Sequence, residues 1–181
     1  LFPFDSSEWV DFDLDGIGDN SDDDLDGDGR NNSEDDFPLD NTEWLDTDDD
    51  GVGNNADEDD DNDRIEDIDD FCPVGETGWI SGATLGTDLD GDGCRDEGED
   101  VDDDNDGIND TNDTCPRGHT GWISNPLNDL DADGCHFIED FDIDGDGISN
   151  LEDLFPEDPA EWDDSDGDGV GDNADVFPND A

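Results

Sequence analysis

The sequence predicts a mostly irregular fold, an elongated array of repeated acidic loops with little regular helix or strand and with small disulfide staples. Three observations support this prediction. One acidic pattern of twelve residues recurs nine times, the loops follow one another too closely for a helix to flank each of them, and four cysteines occupy two equivalent pairs of positions. Each repeat is expected to contact mainly its neighbours, as in other repeat architectures.

The composition explains why such a chain needs bound cations to fold. It contains 64 Asp and Glu residues against 4 Lys and Arg, its formal net charge is −60, and only 28% of its residues are hydrophobic. Low hydrophobicity with high net charge is typical of disorder, because too little apolar surface is buried to offset a backbone entropy cost of roughly 1–2 kcal/mol per residue. Divalent cations would neutralise the carboxylates and cross-link the backbone, so that binding energy becomes folding energy.

The loop at residues 164–175 shows the ligand pattern most clearly. Carboxylates stand at positions 1, 3, 5, 9 and 12, and Gly169 stands at position 6. In a calcium loop, side chains at alternate positions turn onto one ion, glycine permits the sharp turn, and the carbonyl of position 7 supplies a further oxygen. The pattern therefore predicts a calcium-stabilised array.

The loops come in tight pairs. The pairs cover residues 11–35, 46–70, 88–113 and 129–153, and a single loop follows at 164–175. Only Asp23 separates the two loops of the first pair, which excludes an EF-hand because that motif needs a helix on each side of its loop. The loops start at Asp11, Asp24, Asp46, Asp59, Asp88, Asp102, Asp129, Asp142 and Asp164.

Seven loops match the pattern at every position, with position 7 contributing its carbonyl. Their predicted calcium ligands are Asp11, Asp13, Asp15, Ile17, Asp19, Asp22, Asp24, Asp26, Asp28, Arg30, Asn32, Asp35, Asp46, Asp48, Asp50, Val52, Asn54, Asp57, Asp88, Asp90, Asp92, Cys94, Asp96, Glu99, Asp102, Asp104, Asp106, Ile108, Asp110, Asp113, Asp142, Asp144, Asp146, Ile148, Asn150, Asp153, Asp164, Asp166, Asp168, Val170, Asp172 and Asp175.

Two loops depart from the pattern, one with Arg64 at the glycine position and one with Phe137 at position 9. Both keep acids at positions 1, 3, 5 and 12, so we expect binding with altered geometry or with a water in the gap. Their predicted ligands are Asp59, Asp61, Asp63, Ile65, Asp67, Asp70, Asp129, Asp131, Asp133, Cys135 and Asp140.

The charge balance also points to more than one ion per loop. One calcium ion in each loop would leave most of the −60 charge in place, and carboxylates this dense repel one another in a compact state. Further acids beside the loops are candidates for second sites: Asp23, Asp49, Asp60, Asp100 and Asp103.

One kind of linker reads Phe-Pro-x-Asp-x-x-Glu-Trp. Copies span residues 2–9, 37–44 and 155–162, and a truncated copy spans 177–181. Asp-x-x-Glu is the spacing of a helix capping box, which predicts about one helical turn in each linker. We expect the Phe and Trp side chains to pack over neighbouring loops; an aromatic platform for carbohydrate is the alternative.

The second kind of linker begins Cys-Pro-x-Gly-x-Thr-Gly-Trp and spans residues 72–87 and 115–128. Each copy is followed by a loop with cysteine at position 7. Four cysteines allow three pairings, and the repeat symmetry favours Cys72 with Cys94 and Cys115 with Cys135. Zinc binding is the competing interpretation, but the sequence has no C-x2–4-C cluster. Disulfides would indicate an oxidising, extracellular setting.

Other functions find little support in the sequence. His119 and His136 are single and separated, and we expect surface residues rather than ligands or catalytic bases. Paired carboxylates occur everywhere and indicate no particular acid–base site, so the sequence predicts no enzyme. The acidity argues against nucleic acid as a partner, and no apolar run is long enough to insert into a membrane.

The tandem Asp-x-Asp-x-Asp-Gly-x-x-Asp-x-x-Asp loops, with their Cys-Pro linkers and cysteines within the loops, resemble thrombospondin type 3 repeats. The linkers are similar to variants found in long archaeal and bacterial surface proteins. The resemblance covers essentially the whole chain. It implies an extended array filled with calcium, more than one ion per motif, and an extracellular structural or adhesive role.

The sequence therefore predicts an extracellular, cell-surface protein segment that folds around calcium as a rigid rod, spacer or filament-forming unit. A calcium-dependent adhesion or ligand-binding module is the alternative. A disordered calcium buffer is disfavoured by the regular register of the loops and by the cysteine pairs. Both ends of the chain carry linker copies, so we expect head-to-tail self-association or continuation of the array.

Overall fold

The fold is irregular throughout. The computed structural model describes residues 2–180, and no residue in that range lies in an α-helix or a β-strand; the backbone runs through successive turns and bends. This confirms the predicted fold class. Residues 2–180 consequently include no helix with the length and apolar character needed to cross a bilayer. The linker copy at 177–181 ends in Ala181, which lies outside the described residues.

The same backbone hydrogen bond closes the base of every loop. The N–H of position 9 donates to the carbonyl of the residue before position 1, as Asn150 does to Phe141 at 2.9 Å. All nine loops have this bond, with N···O distances of 2.7–3.1 Å. The repeat seen in the sequence is thus a structural repeat, in which each loop is a closed backbone ring.

Two positions of each loop have left-handed backbone. Position 6 has φ between +86° and +99° in all nine loops, and position 4 has φ between +56° and +83°. Glycine adopts this conformation without penalty because it lacks a Cβ atom. The glycine at position 6 was predicted, whereas the requirement at position 4 was not. Only four of the nine loops have glycine at position 4, so the sequence pattern did not reveal the requirement. These glycines are Gly27, Gly91, Gly145 and Gly167.

The chain divides into two compact units. The first comprises Leu1–Ser81 and Gly91–Arg95, and the second comprises Gly82–Asp90 and Asp96–Ala181. Each unit contains one disulfide, Cys72–Cys94 in the first and Cys115–Cys135 in the second, with Cα–Cα distances of 5.1 Å. The pairing predicted from repeat symmetry is confirmed. The segment Gly91–Arg95 carries Cys94 and so belongs to the first unit.

Neither unit has an ordinary hydrophobic core. Among the described residues the buried apolar side chains are Cys94 and Cys135, and the other fully buried groups are mainly aspartates. The predicted packing of the linker aromatics is wrong for Trp9 and Trp162, which are 68% and 44% exposed. At Trp44 the Arg30 guanidinium of the preceding loop lies 5.7 Å from the ring centroid. Interactions among polar groups, rather than apolar burial, must hold this fold together.

The predicted capping box is also wrong. The Phe-Pro linkers at 37–44 and 155–162 form two successive β-turns; in the first of them Asp40 N–H donates to Phe37 O and Glu43 N–H donates to Asp40 O. The Glu43 carboxylate does not return to its own turn. It accepts a hydrogen bond from the N–H of Asn55 at 3.0 Å, in the loop that follows. The motif docks each linker onto the next loop.

Candidate metal centres

Side chains at positions 1, 3 and 5 converge in the folded loops. In each of four loops of the first unit, one carboxylate oxygen from each of these positions lies within 4.8 Å of the other two. Such spacing suits oxygens that share one cation. The four groups are Asp11, Asp13 and Asp15; Asp24, Asp26 and Asp28; Asp46, Asp48 and Asp50; and Asp59, Asp61 and Asp63.

The loop that starts at Asp88 is divided between the units. Asp88 and Asp90 belong to the second unit, whereas Asp92 belongs to the first. Asp88 is fully buried, and Asp92 accepts the N–H of Cys94 at 2.9 Å. The local backbone pattern of the other loops is therefore present here as well.

The carboxylate of position 1 fixes the tight turn of the loop. Asp164 accepts the N–H of Gly167 at 2.7 Å on Oδ1 and the N–H of Gly169 at 2.9 Å on Oδ2. These donors are positions 4 and 6, the two left-handed residues. The left-handed backbone is thus what turns these N–H groups toward the first carboxylate.

Position 5 is oriented by the residue two places later. In all nine loops the N–H of position 7 donates to the position 5 carboxylate, with N···O distances of 2.6–2.9 Å. Such Asx turns use the ability of a short acidic side chain to bond its own backbone. One oxygen of each carboxylate is held by the backbone, which fixes the orientation of the side chain.

The second oxygens are buried without a protein partner in many loops. Asp26, Asp104 and Asp144 at position 3, and Asp106 and Asp146 at position 5, each have a carboxylate oxygen that is inaccessible to solvent and accepts no hydrogen bond. A buried charge without a partner costs several kcal/mol or more. Hard, negatively charged oxygens in this arrangement fit calcium.

Burial also shifts the acidity of these groups. Removal from water favours the neutral carboxylic acid, and neighbouring carboxylates add to the effect. The pKa rises from 3.8 to about 7 for Asp70 and Asp103, and to about 6 for Asp60, Asp104, Asp113 and Asp131. A bound cation would reverse this preference by favouring the ionised form.

Position 12 completes the group from the far end of the loop. Asp113 accepts the N–H of Cys115 at 2.6 Å on Oδ1, while its Oδ2 is buried without a hydrogen-bond partner. Asp140 and Asp153 have the same arrangement, with donors at Asp142 and Phe155. One carboxylate therefore both supplies an oxygen to its own loop and fixes the start of the next segment.

One loop shifts its register at position 12. In the loop from Asp88 the pattern assigns position 12 to Glu99, but Asp100 accepts the N–H of Asp102 at 3.0 Å and has a buried Oδ2 without a hydrogen-bond partner. Asp100 thus has the geometry of position 12 in the other loops. The signal in the sequence is Gly98, an extra glycine with φ +141° that accommodates one inserted residue.

The side chain of position 9, predicted to be a calcium ligand, accepts a hydrogen bond that closes the loop. Asp110 Oδ1 accepts the N–H of Asp103 at 2.9 Å, and Asn150 Oδ1 accepts the N–H of Ile143 at 3.0 Å. Eight loops share this bond between position 9 and position 2. Asparagine replaces aspartate at three of these positions, because its amide oxygen also accepts a hydrogen bond. Whether position 9 binds an ion stays a prediction.

The two departing loops keep the common backbone. Arg64 has φ +86° and donates its N–H to Asp59 Oδ2 at 3.2 Å, as glycine does in other loops. Phe137 donates its N–H to Asn128 O at 3.0 Å. A side chain in the left-handed region costs roughly 1–2 kcal/mol. The fold therefore imposes the loop geometry even where the sequence is unfavourable.

Neighbouring loops of a pair meet at one recurrent point. A Cβ atom built on Gly27 would lie 2.7 Å from Asp13 Oδ2, and one built on Gly145 would lie 2.7 Å from Asp131 Oδ2. Position 4 of the second loop therefore packs against the position 3 carboxylate of the first. A substitution here would disturb a predicted ligand.

Among the acids predicted to form second sites, Asp103 already has a cationic neighbour. Arg117 Nη1 lies 3.3 Å from Asp103 Oδ2, and its Nη2 contacts Asp96. Asp60 is the equivalent residue of an earlier loop, and it has a buried Oδ1 without a hydrogen-bond partner. Val74 stands where Arg117 stands in the second linker. How many ions bind stays a prediction.

The comparison with known families agrees with this geometry. The family model of the thrombospondin type 3 repeat matches residues 86–119, which contain the loops from Asp88 and Asp102. This segment is similar to a thrombospondin type 3 repeat. No curated protein matches the chain. Thrombospondin type 3 repeats are calcium-binding structural modules of extracellular proteins, and the carboxylate groups described above agree with such a module.

Proposed function

We propose that this chain is an extracellular structural segment that folds around calcium and serves as a rigid rod, spacer or filament-forming unit. The observation that carries the proposal is the set of buried carboxylate oxygens without protein partners, as at Asp104, Asp144 and Asp153. In this chain the carboxylates occupy the interior that apolar side chains fill in other proteins. A protein built this way gains its stability from the ions.

The repeat supports a structural role rather than catalysis. The same closing bonds recur in nine loops, and this regularity suits a surface that is repeated along a chain. The family is a structural one. The two disulfides support an oxidising environment, in agreement with an extracellular location. Head-to-tail association or continuation of the array remains part of this proposal.

The test is a calcium titration with scattering and circular dichroism. At this length a compact globule has a radius of gyration near ~16 Å and an unfolded chain one near ~45 Å. We expect chelation to expand the chain toward or beyond the unfolded value and to abolish the near-UV signal of the five tryptophans. Magnesium at the same concentration serves as the control, since it prefers smaller octahedral sites. A chelated sample with an unchanged profile would contradict the proposal.

A second function, adhesion through the linkers, is supported by one specific observation. Trp9, Trp44 and Trp162 are 68%, 37% and 44% exposed at equivalent positions of three linkers. Exposed aromatic rings suit contact with sugars or with another protein. Replacing all three by alanine should leave calcium-dependent folding intact and abolish binding to a glycan array. Retained glycan binding in that variant would exclude these rings as the binding surface.

A further inference from the structure

The two Cys-Pro linkers differ at one pair of equivalent positions. In the first unit Glu76 and Arg95 form an ion pair, with Arg95 Nη1 2.6 Å from Glu76 Oε2. In the second unit the corresponding residues, by their spacing from the cysteines, are His119 and His136. Their ring centroids lie 5.2 Å apart at an interplanar angle of 52°. Residues that the sequence suggested to be separate surface histidines are therefore neighbours.

The Glu139 residue is bonded to the backbone of both histidines. Glu139 Oε1 accepts the backbone N–H of His119 at 2.7 Å, and Glu139 N–H donates to the carbonyl of His136 at 2.9 Å. The Glu139 carboxylate is thereby held at the His119 backbone. His136 and Glu139 are positions 8 and 11 of the loop from Asp129, which are not calcium-ligand positions in the loop pattern.

The ring separation fits a shared metal ion. A zinc-class ion lies about 2.0–2.1 Å from an imidazole nitrogen, hence roughly 3.2 Å from the ring centroid. Two imidazoles at a tetrahedral angle around one ion then have centroids about 5 Å apart. The observed 5.2 Å agrees with this value. The Ile138 N–H lies 3.4 Å from His136 Nδ1, which is long for a hydrogen bond and does not fix the tautomer.

The surroundings of His136 are cross-linked and aromatic on one side. His136 directly follows Cys135, which is bonded to Cys115. The His136 ring meets Trp122 edge-on at 4.8 Å and Phe137 at 4.4 Å. These ring contacts hold the His136 imidazole beside the disulfide.

We propose that His119, His136 and Glu139 form a site for a transition-metal ion of the zinc class, separate from the carboxylate sites for calcium. Imidazole nitrogen is a ligand that zinc, cobalt(II) and copper(II) accept and that calcium disfavours. The bound ion would join the linker to the loop at the place where the first unit uses the Glu76–Arg95 ion pair. The open coordination position would be filled by water.

Cobalt(II) is the probe for this site. The chain contains two histidines, so the imidazole C–H signals in an NMR spectrum report on this site alone. The titration is done in millimolar calcium at pH 7.5, so that calcium competes for the carboxylate loops. We expect substoichiometric cobalt to broaden both imidazoles together and zinc to reverse the effect. Broadening of only one ring would overturn the proposal.

The matched variant rebuilds the ion pair of the first unit. His119→Glu together with His136→Arg should retain the calcium midpoint of folding and lower cobalt and zinc affinity, measured by calorimetry, by at least about tenfold. If this double variant does not fold, His119→Gln replaces it and should give the same loss. Glu139→Gln should give a smaller loss. Unchanged affinity in the histidine variants would show that the metal binds only adventitiously to the acidic loops.

Discussion

The carboxylate of Glu161 accepts a hydrogen bond from the backbone N–H of Asn173 at 3.0 Å and lies against Gly171. Glu161 is only 6% exposed. The Asn173 side chain also donates, to Ala160 O at 2.6 Å. Glu8 and Glu43 repeat the arrangement against Gly18 and Gly53. A linker is thus fixed to the following loop by two hydrogen bonds, both donated by an asparagine of that loop.

The first prediction concerns the space above Gly171. A Cβ atom there would lie 2.0 Å from Glu161 Oε2, and Gly171 does not have a left-handed backbone that would strain alanine by itself. Gly171→Ala should therefore lower the free energy of unfolding in calcium by about 1–3 kcal/mol, measured by urea denaturation.

A double-mutant cycle provides the control. In a Glu161→Ala background the clash is absent, so Gly171→Ala should cost far less than in the wild type. Equal costs in both backgrounds would mean that Gly171 acts through something other than Glu161.

The second prediction concerns Arg64, which has φ +86° at a position where the other loops have glycine. Arg64→Gly should stabilise the calcium-bound protein by up to about 1 kcal/mol, because relief of the left-handed strain outweighs the greater flexibility of glycine in the unfolded chain. The measurement is the calcium concentration at the folding midpoint. Arg64→Ala removes the charge but keeps the Cβ atom, so a gain of equal size in that variant would assign the effect to charge.

The third prediction concerns loop closure at Phe137. Eight loops use an acidic or amide side chain at position 9 to accept the N–H of position 2. Phe137→Asn should supply this acceptor to Leu130 and add about 1 kcal/mol to the free energy of unfolding. Hydrogen exchange at the Leu130 amide should slow accordingly.

Asn150→Ala in the neighbouring loop is the opposite change. It removes the acceptor of the Ile143 N–H, which lies 3.0 Å from Asn150 Oδ1, and should accelerate exchange there. If Phe137→Asn leaves Leu130 exchange unchanged while Asn150→Ala accelerates exchange at Ile143, position 9 is not sufficient to close the loop from Asp129.

The fourth prediction concerns the protonation of the buried carboxylates and its effect on calcium affinity. Burial raises the pKa of Asp70 and Asp103 to about 7 and that of Asp104 and Asp131 to about 6. Because the pKa of these carboxyl groups is higher in the fold than in the unfolded chain, protonation stabilises the calcium-free fold. This stabilisation is lost as pH rises from about 4 to 7. Calcium must displace these protons, so its affinity should increase with pH over the same range.

Calorimetry in two buffers of different ionisation enthalpy measures this release. At pH 6 the apparent binding enthalpy should depend on the buffer, and at pH 8.5 it should not. The release is expected only where the calcium-free chain keeps the fold that buries these carboxylates. Buffer-independent enthalpies at pH 6 would show that the carboxylates are already ionised before calcium binds, as they are in an unfolded calcium-free chain.

The sequence was sufficient for those features that depend on composition and local spacing. An excess of acids and a shortage of apolar residues exclude a conventional core, and the alternation of Asp with one glycine predicts carboxylates converging on a turn; the groups around Asp46 and Asp59 confirm this. Repeat symmetry was enough to pair Cys72 with Cys94, because equivalent segments occupy equivalent places. In each case the relevant interaction acts over a few residues or is repeated.

Only the tertiary structure decided which groups meet across the turns. Glu43 was expected to cap its own linker. It is instead buried against the next loop, where its carboxylate accepts the N–H of Asn55. The hydrogen bond typical of position 12 is made by Asp100, one residue later than the pattern assigns; that Glu99 binds an ion stays a prediction. His119 and His136 meet beside a disulfide that joins segments distant in the sequence. Spacing along a chain determines how a loop turns, whereas the contacts between a loop and its linker depend on how the backbone rings and cross-links place them in space.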